Sequence, residues 1–318
     1  MGVVSSKVGV IGRLRGFLRS QIFFGTLRRM KSIFCLLGLV GMLSAQAAAF
    51  KALIVDGQNN HDYKATTPHL KQLLEETGLF AVDVATSPGK GGDMKSFRPK
   101  FSDYEVVISN YNGEPWSDET KADFEQYVKN GGGFVCVHAA DNSFPEWPAF
   151  NDMIGLGGWG DRTEKAGPYL RLRDGAWKPD TTPGRGGSHG KQHAFVMTTR
   201  DSAHPIMKGL PSKWMHAKDE LYDRLRGPAQ SLTILASAMS EKETNGSGEE
   251  EPLIMVRNYG KGRVFHTALG HNNGPDLTAQ KCVGFIVTFQ RGTEWAASGK
   301  VTQKAPADFP TEAAVSLR

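Results

Sequence analysis

Short apolar runs alternate with helical segments through the first half of the chain that follows residue 49. The apolar runs are Lys51–Asp56, Ala81–Thr86, Glu105–Ser109 and Gly133–His138, and the helical segments are His69–Thr77 and Asp118–Lys129. Strands that are apolar on both faces and alternate with helices are typical of a parallel sheet covered on both sides. The sequence therefore predicts an α/β fold with a doubly wound, mostly parallel sheet, whose ligands bind beyond the carboxyl ends of the strands.

The remaining elements are predicted less regularly. Residues 151–192 are rich in Gly, Pro, Trp and Arg, and we expect long, ordered, irregular loops there, over the carboxyl edge of the sheet. The first helix is expected to start where Thr67 precedes Pro68. The other predicted elements are a strand over Ala194–Thr198, a hairpin of Pro252–Arg257 and Arg263–Ala268, and a helix around Gln280–Gln290. The domain is expected to span residues 50–299, with an extended tail over 300–318.

The charge of the chain is unevenly distributed. Seven of the 38 Lys and Arg residues lie before Phe50 and none of the 33 Asp and Glu residues does. The rest of the chain therefore has 31 basic and 33 acidic residues, a formal charge of −2. A basic patch with interleaved aromatic residues is not visible in it, and Gly131–Gly133 precedes a strand instead of following one. Nucleic acid is therefore not expected as a partner, and neither a phosphate-binding loop nor a dinucleotide fingerprint is present.

An export leader explains the basic start. A basic stretch precedes the uncharged, mostly apolar run Ser32–Leu43, and small residues follow it. This order is typical of a secretory signal, and the run is too short to cross a bilayer. We expect a leader over residues 1–49, with 30–49 as the signal proper and cleavage after Ala47 or Ala49. The mature protein would then be periplasmic or extracellular, without stable membrane insertion, and could form a homo-oligomer.

Two cysteines remain after the leader. Cys136 falls in a predicted central strand and Cys282 in a predicted helix, which favours two buried small hydrophobic residues. A disulfide between these two cysteines remains an alternative for an exported protein, because the sequence does not give the distance between them.

Histidines and carboxylates at predicted strand ends are the candidates for chemistry. His138 ends a buried strand and opens a turn, the position at which doubly wound enzymes often hold a reactive side chain. His271, more than His266, is expected to reach the same edge of the sheet. Asp219 and Glu220 lie in a polar segment flanked by large apolar residues, which favours partial burial and a functional role over a solvated charge run.

His189 and His193 are four residues apart, a spacing that suits two zinc ligands on a helix. The neighbouring residues Gly186, Gly187 and Gly190 argue against a helix. Two imidazoles presented by a loop to a polar substrate are therefore preferred, and a metal-dependent hydrolase that uses these two histidines remains an alternative.

A set of ordered motifs resembles the ThuA-like (trehalose utilisation) family. The motifs are Gly131–Ala140, His204-Pro205, Gly209-Leu210-Pro211, Asp219–Tyr222, Tyr259–Phe265 and Leu269-Gly270-His271. They run in order from about Lys51 to Trp295. The resemblance implies a flavodoxin-like sheet, similar to the class I glutamine amidotransferase fold. Those enzymes have a nucleophilic cysteine where this chain has His138, with Cys136 inside the strand, so glutamine hydrolysis is not expected.

The resemblance also implies sugar metabolism, with disaccharides or their 3-keto derivatives as substrates. We expect general acid-base catalysis without a redox cofactor, although a divalent metal such as zinc is not excluded by the sequence. The expected catalytic residues are His138, His189, His193, Glu220 and His271. The residues expected to orient the substrate are Asn60, His61, Asp141, Asn142, Trp159, Arg162 and Asp219. A non-catalytic sugar-binding module on the same fold is the alternative from a different class.

Overall fold

The computed structural model describes residues 49–272 and 274–318. The expected leader therefore lies outside the described residues, apart from Ala49. The described residues belong to one compact unit. Among them, no helix has the length and apolar character needed to span a bilayer.

The described part of the chain contains thirteen strands and five α-helices, besides five short 3-10 helices. The strands are β1 Phe50–Asp56, β2 Phe80–Thr86, β3 Val106–Ser109, β4 Gly133–Val137, β5 Tyr169–Arg173, β6 Ala176–Asp180, β7 Ser188–His189, β8 His193–Thr199, β9 Lys213–Asp219, β10 Tyr222–Asp223, β11 Thr233–Met239, β12 Glu250–Tyr259 and β13 Gly262–Thr267. The helices are α1 Tyr63–Glu75, α2 Asp118–Lys129, α3 Pro148–Ile154, α4 Thr278–Lys281 and α5 Val283–Ser298.

Nine of the strands form one mixed sheet in the order β2-β1-β3-β4-β13-β12-β11-β8-β9. The first five strands are mutually parallel, in the flavodoxin-like order. The next four are added antiparallel, so β9 runs in the same direction as β13. The ends of β1, β4, β13 and β9 consequently meet at one edge of the sheet. The α/β, flavodoxin-like fold class is confirmed.

Helices cover both faces of the parallel half, because alternate residues of each strand face opposite sides. On one face, Ala52 and Ile54 belong to the core that includes α1 and α5. On the other, Leu53 and Val55 belong to the core that includes α2 and α3. Two apolar layers therefore hold the carboxyl ends of the strands in fixed positions.

Two details differ from the sequence prediction. Helix α1 begins at Tyr63, not near Thr67, because the Asp62 side chain accepts from the backbone N–H of Lys64 and caps the helix earlier. Residues 151–192 are not irregular throughout, since β5 and β6 pair as a hairpin. Cys136 in β4 and Cys282 before α5 are both buried and free, so the disulfide is absent from the described residues.

Candidate functional site

Four side chains from distant parts of the sequence converge at the carboxyl edge of the sheet. His61 follows β1, His138 follows β4, Glu220 follows β9 and His271 follows β13. Each offers one ligand atom, and these atoms all lie within 4.8 Å of one another. His138, Glu220 and His271 are buried, and His61 is half-buried. We call these four residues the His/Glu cluster.

Glu220 lies at the centre of the polar contacts of the cluster. Its Oε2 is 3.1 Å from Nδ1 of His271 and 3.8 Å from Nε2 of His138. The His61 ring centroid lies 5.0 Å from that of His138 and 4.6 Å from that of His271. The Glu220 carboxylate therefore lies beside three neighbouring imidazole rings.

Asparagine side chains position the loop that carries His61. The Asn59 Oδ1 accepts from the backbone N–H of His61 at 2.9 Å, and the Asn59 Nδ2 donates to the main-chain oxygen of Asn110 at 3.2 Å. Asn60 and Asn112 bond to each other through both backbone and side chain. The loop after β1 is therefore tied to the loop after β3, which holds the backbone of His61 in place at the cluster.

His138 is held in an uncommon conformation. Its φ of 47° lies in the left-handed region, which costs free energy for a residue with a Cβ atom and is often found at functional sites. Its Nδ1 lies 2.8 Å from the carbonyl oxygen of Ala268, so Nδ1 carries the proton and donates. The Tyr222 ring stacks on the imidazole with 4.3 Å between centroids. These contacts turn Nε2 of His138 toward Glu220.

The buried Asp219 carboxylate holds the backbone of two cluster residues, Glu220 and His271. Its Oδ1 accepts from the backbone N–H of Glu220 at 2.7 Å and of His271 at 3.0 Å. Its Oδ2 accepts from the N–H of Gly270 at 2.8 Å and contacts Nε2 of His216 at 2.7 Å. Asp219 is buried and both of its carboxylate oxygens have partners, so it holds the backbone of Glu220 and His271 in position.

Burial and the neighbouring ionisable groups determine the protonation states of the cluster residues. Burial and the neighbouring His138 and His271 lower the pKa of His61 to about 3. Burial also lowers the pKa of His138, although Asp219 opposes this. Burial alone would raise the pKa of Glu220, but the hydrogen bond with His271 and the nearby imidazoles lower it to about 2. At neutral pH, Glu220 is therefore anionic while His61 and His138 are neutral.

An exposed rim borders the cluster. His189 in β7 is exposed, and its Nε2 lies 3.5 Å from Oε1 of Glu220. The Gln192 Nε2 lies 3.2 Å from the same oxygen and 2.9 Å from Nε2 of His271. The half-buried Trp159 packs beside Tyr222, with 4.5 Å between ring centroids. The rim thus combines an exposed imidazole, an amide and an aromatic surface.

A cleft of about 520 Å³ adjoins the loop that carries His61. Amide and charged side chains line much of it, among them Asn60, Asn112, Lys90 and Glu114. Asn60 connects the two regions, because its Nδ2 lies 3.3 Å from Nε2 of His61.

The structure does not bring His193 into the cluster. Its Nδ1 lies 2.7 Å from the carbonyl oxygen of Lys191, and its ring packs against Phe195. His189 lies in β7 and His193 begins β8, so the two do not share a helix, as the neighbouring glycines predicted. Among the described residues, the group that could hold a metal ion is the His/Glu cluster.

Three other candidates lie behind the site. The Asp141 carboxylate is fully buried and 3.2 Å from Nε2 of His266, inside the sheet edge. Asn142 belongs to the same turn and lies beside the Tyr222 hydroxyl. The buried guanidinium of Arg162 donates to carbonyl oxygens of Asn142, Ser143 and Gly158. Arg162 therefore holds together the loops over the sheet edge.

Gln192 was not among the candidates from the sequence, and His216 was considered only as part of the polar segment that contains Asp219 and Glu220. Gln192 lies directly before His193, and its polar position in a Gly-rich loop was the only available signal. His216 lies three residues before Asp219 in a segment of mixed charge, which gives no direct sign that the two side chains pair.

The chain is similar to solved structures of ThuA-like proteins. One from Parabacteroides merdae ATCC 43184 is 52% identical, covers 85% of this chain and 98% of its own, and has a TM-score of 0.84. Another from Bacteroides uniformis ATCC 8492 is 19% identical over 80% of this chain and 94% of its own, with a TM-score of 0.55, which shows a shared fold alone. A comparison with curated proteins finds no match. The family model of ThuA, described as trehalose utilisation, matches residues 51–296, and the chain therefore belongs to the ThuA family.

Proposed function

We propose that this protein is an enzyme that acts on a carbohydrate, a disaccharide or its 3-keto derivative, at the His/Glu cluster. The observation that carries the proposal is the convergence of three imidazoles and a carboxylate at one sheet edge, largely shielded from water. Burying such a group costs stability, and clusters of this kind are typical of active sites. The family description, trehalose utilisation, supports a sugar as substrate.

The surroundings of the cluster suit a sugar. Trp159 offers an aromatic face against which the C–H surface of a sugar ring can pack. Asn60 and Asn112 line the adjoining cleft and can bond hydroxyl groups. A disaccharide would place one ring at the cluster and the other in the cleft.

His189 is the best placed group for proton transfer. It is exposed, so it can reach a bound molecule, and Glu220 at 3.5 Å would stabilise the imidazolium that forms. With a keto-sugar, the C–H next to the ketone gives its proton to His189, and the electron pair moves to the carbonyl oxygen. We propose that the imidazoles of the cluster stabilise the negative charge that this oxygen gains.

Thiolate chemistry is not part of the proposal. Cys136 is completely buried inside β4, and burial raises the pKa of its thiol well above the ordinary value. The proposed activity is therefore distinct from glutamine hydrolysis.

The proposal is tested by incubating the purified protein with trehalose, other disaccharides and their 3-keto derivatives, and following each sugar by NMR. We expect one of these sugars to be consumed. His189→Ala should lower kcat by about 100-fold or more, the usual effect of losing a general acid or base. His193→Ala is the matched control, because this imidazole lies outside the cluster, and it should retain activity.

Binding of a sugar that is recovered unchanged would instead favour a non-catalytic sugar-binding module. Full activity in His189→Ala would contradict the assignment of proton transfer to this residue.

We also propose that the protein is exported. The basic, apolar and small-residue segments that precede Phe50 support this location, since they follow the order of a secretory signal.

A further inference from the structure

We propose that His61, His138, His271 and Glu220 bind one divalent transition-metal ion, with zinc as the best match. Imidazole nitrogens and a carboxylate oxygen are the usual ligands of catalytic zinc, and related first-row ions accept the same set. The inference goes beyond the carbohydrate assignment, because metal binding can be measured on the protein without any sugar.

The spacing of the ligand atoms fits a single ion. In a tetrahedral site with bonds of about 2.0–2.1 Å, neighbouring ligand atoms lie roughly 3.3 Å apart. The observed distances from Oε2 of Glu220, 3.1 Å to His271 Nδ1 and 3.8 Å to His138 Nε2, bracket this value. The largest separation within the group is 4.8 Å, so small side-chain rotations would close it around an ion.

The Nε2 atom of His138 is the strongest single indication. Since Nδ1 donates to the carbonyl oxygen of Ala268, Nε2 carries a lone pair and no proton. His138 is only 4% exposed, and this atom has no hydrogen-bond partner among the described residues. A lone pair that points at a carboxylate oxygen is repulsive unless a cation lies between the two atoms. An ion bound to both groups would remove the repulsion and satisfy the orphaned nitrogen.

Hydrogen bonds from neighbouring groups keep the four ligand residues in position for binding an ion. The Ala268 carbonyl oxygen orients His138, as backbone carbonyls commonly orient histidine ligands. Asp219 binds the backbone N–H groups of both Glu220 and His271. The Asn59 side chain does the same for His61. Every ligand therefore has a second contact that fixes its position before metal arrives.

The test is metal binding by the purified protein after treatment with a chelator. We expect titration with ZnCl₂, followed by elemental analysis, to give about one equivalent of zinc per chain. Titration with Co²⁺ should give visible absorption bands of a four- or five-coordinate ion. Glu220→Gln and His138→Gln should each weaken zinc binding by about 100-fold or more. His204→Gln, a histidine at the opposite edge of the sheet, should bind zinc like the wild type.

Thermal melts guard against variants that fail to fold. Zinc should raise the Tm of the wild type and of His204→Gln but not of the two ligand variants. Less than a tenth of an equivalent of zinc, or unchanged affinity in Glu220→Gln, would overturn the proposal. So would loss of zinc in a His189→Ala, His193→Ala double variant with retention in Glu220→Gln. Zinc binding without turnover of any sugar would leave this inference standing and contradict the carbohydrate assignment.

Discussion

At the scale of single residues, one buried carboxylate, Asp219, holds the backbone of both Glu220 and His271 in place. His138 and His271 were predicted because they follow apolar strands, whose ends meet at one sheet edge. Glu220 was predicted because large apolar residues flank its polar segment. His61 was expected to orient the substrate, yet it lies in the cluster. Asp219 was expected beside the substrate, yet it is buried beneath Glu220. Which neighbour faces the site depends on side-chain orientation, and a sequence pattern does not encode that.

Asp219→Asn should disturb the site and the stability together. An amide has one acceptor oxygen instead of two, while three backbone N–H groups and His216 now bond to the carboxylate. We expect the free energy of unfolding in urea to fall by about 2–4 kcal/mol. Zinc affinity should fall as well, because Glu220 and His271 would lose their common anchor.

Asp223→Asn is the matched control, since Asp223 is also completely buried and accepts from Ser188 and Ser240. It should lower stability without weakening zinc binding. Equal loss of zinc affinity in both variants would contradict the positioning role of Asp219.

At the scale of elements, the parallel half and the strands β8 and β12 were predictable, whereas β9 and β11 of the antiparallel extension were not. The strands β1, β2, β3, β4 and β13 are apolar runs, and their predicted bounds agree with the structure within one residue at either end. Strand β9 carries Lys213, Lys218 and the buried His216, so its apolar pattern is interrupted. Its buried polar side chains are tolerated because His216 and Asp219, three residues apart in the same strand, contact each other. The hydrophobic pattern of a sequence does not reveal such a contact.

The contact between β9 and α5 gives a second prediction. Trp214 of β9 is completely buried, and a Cβ added to Gly284 would lie 2.2 Å from its ring. Gly284→Ala should therefore lower the free energy of unfolding by about 1–3 kcal/mol through overpacking, despite the better helix propensity of alanine. Urea denaturation measures the effect. Gly89→Ala is the control, because nothing lies within 4 Å of a Cβ there and its φ is not positive. A neutral Gly284→Ala would show that Trp214 can move.

At the scale of the whole molecule, the C-terminal tail is hydrogen-bonded to the core, which the sequence does not indicate. Composition predicts only an extended segment after Lys300, and no regular helix or long strand forms there. The tail nevertheless returns to the core, since Ser316 accepts from the N–H of Val283 and Thr311 accepts from that of Met215. Single long-range hydrogen bonds of this kind leave no periodic trace in a sequence.

The leader gives the prediction at this scale. If the chain is exported, cells that express it from Met1 or Met30 should release a protein that begins at Ala48 or Phe50, which N-terminal sequencing of the periplasmic or extracellular fraction would detect. Replacing Leu36 and Leu37 in the apolar run with Arg should block export, whereas Ser44→Thr outside the run should not. An uncleaved chain that stays in the cytoplasm would contradict the prediction.

The order in which the four cluster residues leave the ribosome has a consequence for biogenesis. His61 comes with the first strand and His271 only after the last, a separation of 210 residues along the chain. A nascent or truncated chain that lacks β13 has neither His271 nor the anchor that His138 finds at Ala268. The cluster can therefore be completed only after most of the domain has been synthesised, because its contacts join residues that are far apart in the sequence. Any activity or metal uptake at this edge would then report that the chain has been made and folded at least as far as His271.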